Sequence, residues 1–468
     1  MTLRVPVAAA ALLALASPAA AQVRPDQAAF RGLYKELVET NTTLSAGSCT
    51  EAAEKMAARL KAAGYADPDV RLVVVADHPK EGNLTAVLRG SDPGAKAILL
   101  LAHIDVVEAN RADWARDPFR LVEENGYFYA RGASDDKAMA AVFADSMIRL
   151  KQEGFRPRRD IRLALTCGEE TGTAFNGAEY LATHERPLVD AAFALNEGAG
   201  GRLDAQGRPV MLEVQAGEKV YQDFTLESTN PGGHSSRPTK DNALVHLGAA
   251  LVKVGAYDFP VKLNPVTRIF FTRMGEIRGG EEGAAMKAVA ADPTDAAALA
   301  VVTRDPGYNS TLRTTCVPTM AQAGHAPNAL PQRAQANVNC RIFPGEAVED
   351  VRQALLRVIG DPKVSVTPVA PLGERAPVPP LSPQFMGPIE QVAAKMWPGV
   401  PVVPTQATGA TDGRFLNAAG IPTYGVSGMF RDPDGGGVHG LNERIRVRSL
   451  YEGRDFLHAI VKIYAQQR

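Results

Sequence analysis

Residues 161–171 read IRLALTCGEET. An apolar run stops at Gly168 and is followed by two adjacent carboxylates, Glu169 and Glu170. A short apolar run closed by a turn residue reads as a buried strand. Two like charges at its end must each meet water, a cation or a proton. If a metal takes one carboxylate, the other is free to move protons. The neighbouring segments repeat the pattern. Residues 83–90 (NLTAVLRG), 96–107 (KAILLLAHIDVV) and 191–198 (AAFALNEG) are further short apolar runs. Residues 27–40, 49–64 and 137–154 carry helical apolar spacing between them. Strands alternating with helices predict an α/β layer sheet covered on both faces.

The pattern changes near residue 217. Strand-like and helical segments follow in the order strand (219–229), helix (241–254), strand (314–324), strand (335–343), helix (347–360), strand (363–370). That order predicts a split βαβ, ferredoxin-like α+β unit. An Ala-rich stretch at about 281–303 reads as extra helices inserted within it. A Pro-rich junction at 370–383 leads back to helical, strand-like and helical segments. The expected organisation is a catalytic α/β domain in two parts, 22–216 and 371–468, interrupted by a lid or dimerisation domain at 217–370.

With 468 residues, more than one core is expected. The formal net charge of -1 gives no excess to attract nucleic acid or anionic lipid. Residues 1–21 combine a basic start at Arg4, an Ala- and Leu-rich run and the small residues Ala19, Ala20 and Ala21. This reads as a secretory signal peptide, and predicts an exported protein, periplasmic or secreted, free of the membrane once the signal is cleaved. Four cysteines are too few for a disulfide-built scaffold. Cys316 and Cys340 lie in consecutive strand-like segments and could face each other, whereas Cys167 reads as a small core residue.

The strand ends hold the chemistry. His103 and Asp105 close one run, Glu169 and Glu170 the next, and Glu197 another. Asp135 and Asp136 sit in a loop before a helix, and His439 lies in a Gly-rich loop, GGGVHGLNE. Each has an ordinary explanation alone: a structural histidine, a solvated turn, or capping charge before a helix. Together they bring His and carboxylate groups to the carboxyl-end rim of one sheet, where α/β folds bind ligands. Three ligating carboxylates are neutralised by two divalent cations and a bridging hydroxide, whereas one cation would leave excess negative charge in the cleft. Mixed His and carboxylate donors suit zinc or a similar first-row ion.

The motif order AHIDVV, RGASDDKA, CGEETGT, LNEG, GGHSSRP and VHGLNE resembles the aminoacylase, carnosinase and succinyl-diaminopimelate desuccinylase family of co-catalytic di-zinc metallopeptidases. The resemblance spans nearly the whole mature chain and implies a di-zinc exopeptidase-like domain with an inserted lid. Ala138 stands where the family usually has Gly. By resemblance His103 and Glu197 hold one metal, Glu170 and His439 the other, and Asp135 bridges them. Asp105 lies behind His103 and fixes its tautomer. Glu169 is the general base for a metal-bridging hydroxide that attacks an amide carbonyl. His234 steadies the oxyanion, often in the partner subunit's site. Arg341 grips the substrate carboxylate, and Asn328 lies near the same substrate end. The implied cofactor is two divalent ions, Zn2+ with Co2+ or Mn2+ as alternatives. The implied activity is a carboxypeptidase or dipeptidase acting on a small peptide. N-acyl amino acid deacylase is the alternative, and a homodimer through the lid is implied as well. A non-catalytic binding protein on this scaffold would have lost the base or a ligand, and none is missing.

Overall fold

The computed structural model describes residues 24–171, 175–374 and 376–468. The leader read at 1–21 lies outside the described residues. Among them no helix is long and apolar enough to cross a membrane.

A ten-stranded mixed sheet forms the larger unit. Its centre is parallel. Ile98–His103 lies between Ile161–Thr166 and Phe193–Asn196, and Thr423–Gly425 continues beside the last. These strands are buried on both faces but for half-buried positions such as Arg162, which explains why they read as mostly apolar runs. Lys137–Gln152, which packs against Ile98–His103 and Ile161–Thr166, is buried along most of its length. Pro25–Glu39 and Val447–Gln466 pack against it in the same core. Cys49–Ala62 starts at the N-cap Ser48, whose side chain accepts from the Glu51 N–H.

Besides several strands of two or three residues, three longer strands lay outside the sequence reading. Val70–Val75 is an antiparallel edge strand whose Leu72 and Val74 face solvent, so its apolar residues do not alternate with polar ones. Pro209–Glu218 continues the same sheet. Val402–Ala407 pairs in parallel with Pro209–Glu218 and contains Pro404, a residue that argues against a central strand.

The smaller unit is an antiparallel sheet in the order Thr315–Ala323, Arg333–Ile342, Val220–Thr229, Val364–Pro368. The helices Ala243–Gly255 and Val348–Ile359 share a core with one face through Phe224, Leu226, Val338 and Leu355. This is the strand–helix–strand–strand–helix–strand order expected from the sequence. Its elements run from Val220 to Pro368. The helices inserted in it begin earlier and end later than the Ala-rich stretch, spanning Pro265–Arg278 to Pro306–Leu312. They bury Phe270, Phe271, Met286 and Val289 with Val403 of the larger sheet. They therefore belong by packing to the larger unit.

Candidate active site and metal centre

Parallel register brings the strand ends together. His103 pairs with Thr166, and Leu100 with Leu195. The residues that follow each strand thus leave the sheet at one rim. Gly168 makes the turn before the paired acids, with φ +100°, and a Cβ there would stand 1.9 Å from the Phe175 carbonyl oxygen. Only glycine fits that turn.

Asp135 lies at the centre. Its Oδ1 is 3.2 Å from His103 Nε2, and its Oδ2 is 3.1 Å from His439 Nε2. His103 Nε2 is also 3.8 Å from Glu197 Oε1, and His439 Nε2 is 3.0 Å from Glu170 Oε1. The two oxygens of one carboxylate therefore face two different imidazoles, and each imidazole has its own glutamate. On its other side, His103 Nδ1 is 3.1 Å from the Asp105 carbonyl oxygen and 3.6 Å from Asp105 Oδ1. Asp105 Oδ2 accepts the Glu170 N–H at 3.0 Å. Ligand atoms of His103, Glu169 and Glu197 lie within 4.8 Å of one another, as do those of His103, Asp135 and Glu170.

The Asp135 loop hangs on Glu443, which the sequence reading passed over beside His439. Glu443 is fully buried. Its Oε1 accepts the N–H groups of Ser134 (2.8 Å) and Asp135 (3.0 Å). Its Oε2 accepts the Gly132 N–H (3.1 Å) and Arg131 Nη1 (2.7 Å). Asp412 is a second missed residue: its buried carboxylate accepts from Thr166 Oγ1 at 2.9 Å and Asn176 Nδ2 at 2.7 Å. Both acids bind groups remote in sequence, so no local pattern announced them.

The electrostatics mark an over-acidic cluster. Burial pushes Glu169 up to about 8, against the pull of His103 and with help from Asp412 and Glu170. Burial also raises Glu197 and Asp136 well above the usual carboxylate range. Burial works against a charged His103, yet Asp105 and Asp135 hold its pKa well above the ordinary value. Hydrogen bonds to Asp135 and Glu170 push His439 up to about 10. Acids packed this closely retain protons unless cations discharge them. Imidazole nitrogens and carboxylate oxygens, two sets sharing Asp135, form a donor arrangement that fits two divalent first-row ions.

The three candidate substrate residues lie in the smaller unit, and no hydrogen bond or ion pair joins them to this cluster among the described residues. His234 is exposed, in the short ladder Gly233–His234 with Ala329–Leu330. Its Nδ1 accepts the Ser236 N–H at 3.1 Å. The Ser235 N–H donates to the Asn328 carbonyl, which places these two candidates side by side. Arg341 stacks on Tyr221, with Cζ 4.6 Å from the ring centroid.

The cysteines correct one expectation. Cys167 is not a lone core thiol: it is bonded to Cys49 across 118 residues. That disulfide ties the first residue of Cys49–Ala62 to the segment that carries Glu169. Cys316 and Cys340 stand opposite each other in their ladder and are also bonded. No cysteine is free.

The profile of Peptidase family M20/M25/M40 matches residues 99–463, which includes both imidazoles and every carboxylate of the cluster. The chain belongs to this family. M20 membership makes it a hydrolase of peptide or amide bonds. It is 28% identical over 395 residues to the mouse (Mus musculus) N-fatty-acyl-amino acid synthase/hydrolase PM20D1, covering 80% of this chain and 75% of that one. It is 29% identical over 385 residues to the probable carboxypeptidase S-like 2 of Dictyostelium discoideum, covering 80% and 73%. The fold matches the M20 family metallo-carboxypeptidase Sso-CP2 of Sulfolobus solfataricus with a TM-score of 0.67 at 20% identity, over 93% of this chain and 99% of that one.

Proposed function

We propose that this chain is an exported, two-metal amidohydrolase that cleaves an amide bond next to a free carboxylate, as a carboxypeptidase or dipeptidase. The observation that carries the reading is Asp135, whose two oxygens face His103 and His439 separately. His103 and Glu197 would hold one ion and His439 and Glu170 the other, with Asp135 common to both. Zinc suits the donors best, with cobalt or manganese as substitutes. When bound, the pair supplies Lewis acidity toward the scissile carbonyl and lowers the pKa of an attacking water. Asp105 orients His103 through its Nδ1 contacts. Glu169 is the proton carrier. Its carboxylate takes a proton from the attacking water and hands it to the leaving nitrogen. Without cations its mostly buried setting favours the protonated form near neutral pH, and bound cations would draw it to the carboxylate that the first proton transfer needs. His234 steadies the carbonyl oxygen, and Arg341 with Asn328 binds the carboxylate end of the substrate.

A second substrate reading, N-acyl amino acid deacylation, is favoured by the similarity to the N-fatty-acyl-amino acid hydrolase. The same residues serve both reactions. Export to the periplasm or beyond is supported by the signal-like leader and by pairing of all four cysteines in disulfides. A homodimer through the smaller unit is supported by exposed Leu244, Val245 and Val252 on Ala243–Gly255, beside exposed Val317 and Met320 on the edge strand Thr315–Ala323.

The test is a panel of dipeptides and N-acyl amino acids given to metal-loaded wild type and Glu169→Gln. The variant is expected to keep its metal and lose at least about 100-fold in kcat on every active substrate. Full turnover by the variant would remove Glu169 from the mechanism. Dipeptides alone being cleaved selects the peptidase reading, and N-acyl amino acids alone the deacylase.

A further inference from the structure

The open face of the smaller sheet carries an assembly built around Arg341. Alternation along Val220–Thr229 turns Phe224 and Leu226 into the core and Tyr221 and Asp223 to the other face. In the ladder, Tyr221 stands opposite Arg341 and Asp223 opposite Asn339, with Asn337 two residues on. All five side chains share the open face.

Their contacts form a chain. The Arg341 guanidinium sits over the Tyr221 ring, 4.6 Å from its centroid. The Tyr221 hydroxyl donates to Asp223 Oδ2 at 2.8 Å. Asp223 Oδ1 accepts from Asn337 Nδ2 at 3.0 Å and Asn339 Nδ2 at 2.9 Å. Burial opposes ionisation of Asp223, but the two amides and the hydroxyl hold its pKa below the ordinary value.

Asp223 is a carboxylate on the same face as Arg341, and a carboxylate usually closes a guanidinium fork. Here three donors occupy it. Among the described residues Arg341 makes no side-chain hydrogen bond or ion pair, and its guanidinium rests on the Tyr221 ring. An aromatic face attracts the plane of a guanidinium and leaves its N–H edges open. The arrangement orders the arginine without consuming its donors, which lowers the entropy lost when an anion docks.

We propose that Tyr221, anchored through Asp223 by Asn337 and Asn339, is a positioning residue that presents the free edge of Arg341 to the substrate carboxylate. This inference rests on the reading of Arg341 in the proposed function. It adds that the grip is prepared before substrate arrives, and that Asp223 acts as a lock on Tyr221 in place of a partner for Arg341.

The test uses the full-length, metal-loaded enzyme with glycyl-L-methionine, N-acetyl-L-methionine and the C-terminal carboxamide of each. Wild type should favour the free carboxylates. Tyr221→Leu should raise KM for them about ten-fold, with kcat little changed and carboxamide kinetics unaltered. Tyr221→Phe keeps the ring but cuts its tie to Asp223, and Asp223→Ala cuts the same tie, so each should raise KM by less than Tyr221→Leu; wild-type KM in both would remove Asp223 as the lock. Tyr221 is 42% exposed, so its truncation leaves the core intact. If Arg341→Ala raises KM and Tyr221→Leu does not, the positioning role is overturned and the carboxylate grip stands. If Arg341→Ala leaves the carboxylate preference unchanged, both fall. Equal KM losses on carboxylate and carboxamide substrates would show general loosening and also overturn the proposal.

Discussion

Glu443 gives the residue scale its clearest case. Four donors converge on a fully buried carboxylate and fix the backbone that aims Asp135. Glu443→Gln keeps the shape, strands the Arg131 charge and replaces one acceptor oxygen with a donor. Breaking a buried pair costs about 3–5 kcal/mol, so urea unfolding should show a loss of about that size. Metal affinity should fall about 10- to 100-fold, as it does when a group supporting a ligand is removed. A second expectation concerns pH. In the metal-free protein, burial raises Glu169 to about 8 from an ordinary 4.5, and contacts with Asp135 and Glu170 raise His439 to about 10 from 6.5. Both groups bind their protons more tightly when folded. Their stabilisation is full below those ordinary values and is lost as pH climbs through about 8 and about 10. The thermal midpoint of metal-free protein should therefore fall further behind that of metal-loaded protein as pH rises from 6.5 toward about 10. A gap that narrows over that range would contradict the assignment. The candidate ligands were legible because each follows an apolar run, precedes a helix or sits in a Gly-rich loop, in an order that resembles the family's motifs. Glu443 and Asp412 were not, because the groups they bind lie on remote segments.

At the scale of elements, the parallel central strands carried the strongest signal, since burial on both faces keeps them mostly apolar, with Arg162 the charged exception. The edge strands were harder. Leu72 and Val74 face solvent in Val70–Val75, and Pro404 interrupts Val402–Ala407, so neither segment displays a buried-strand pattern. The Cys49–Cys167 disulfide was illegible as well, because spacing along the chain says nothing of a helix start meeting a strand end. Its removal should matter. A closed loop of 118 residues restricts the unfolded chain strongly, and Cys49→Ser with Cys167→Ser should cost about 2–4 kcal/mol in urea unfolding. Cys316–Cys340 spans 24 residues within an existing ladder, and its removal should cost less. Equal losses from the two pairs would refute the loop-length argument.

Across the whole molecule, the split between a parallel-centred sheet and a smaller antiparallel unit was legible from the change in element order. The allegiance of the inserted helices was not, because their core partner Val403 comes about a hundred residues later. The exposed apolar stripe on Ala243–Gly255 belongs to this scale too. Val252 is 74% exposed, and Val252→Glu is expected to shift the proposed dimer toward monomer in sedimentation equilibrium. A monomeric wild type would end that expectation.

The central claim is that one carboxylate serves two cations. Its most direct measurement is the metal content of zinc-loaded, dialysed protein by mass spectrometry, for wild type and Asp135→Asn. The account predicts two ions per wild-type chain and loss of tight binding at both positions in the variant. One ion or none in an active wild type, or two ions retained by Asp135→Asn, would contradict it.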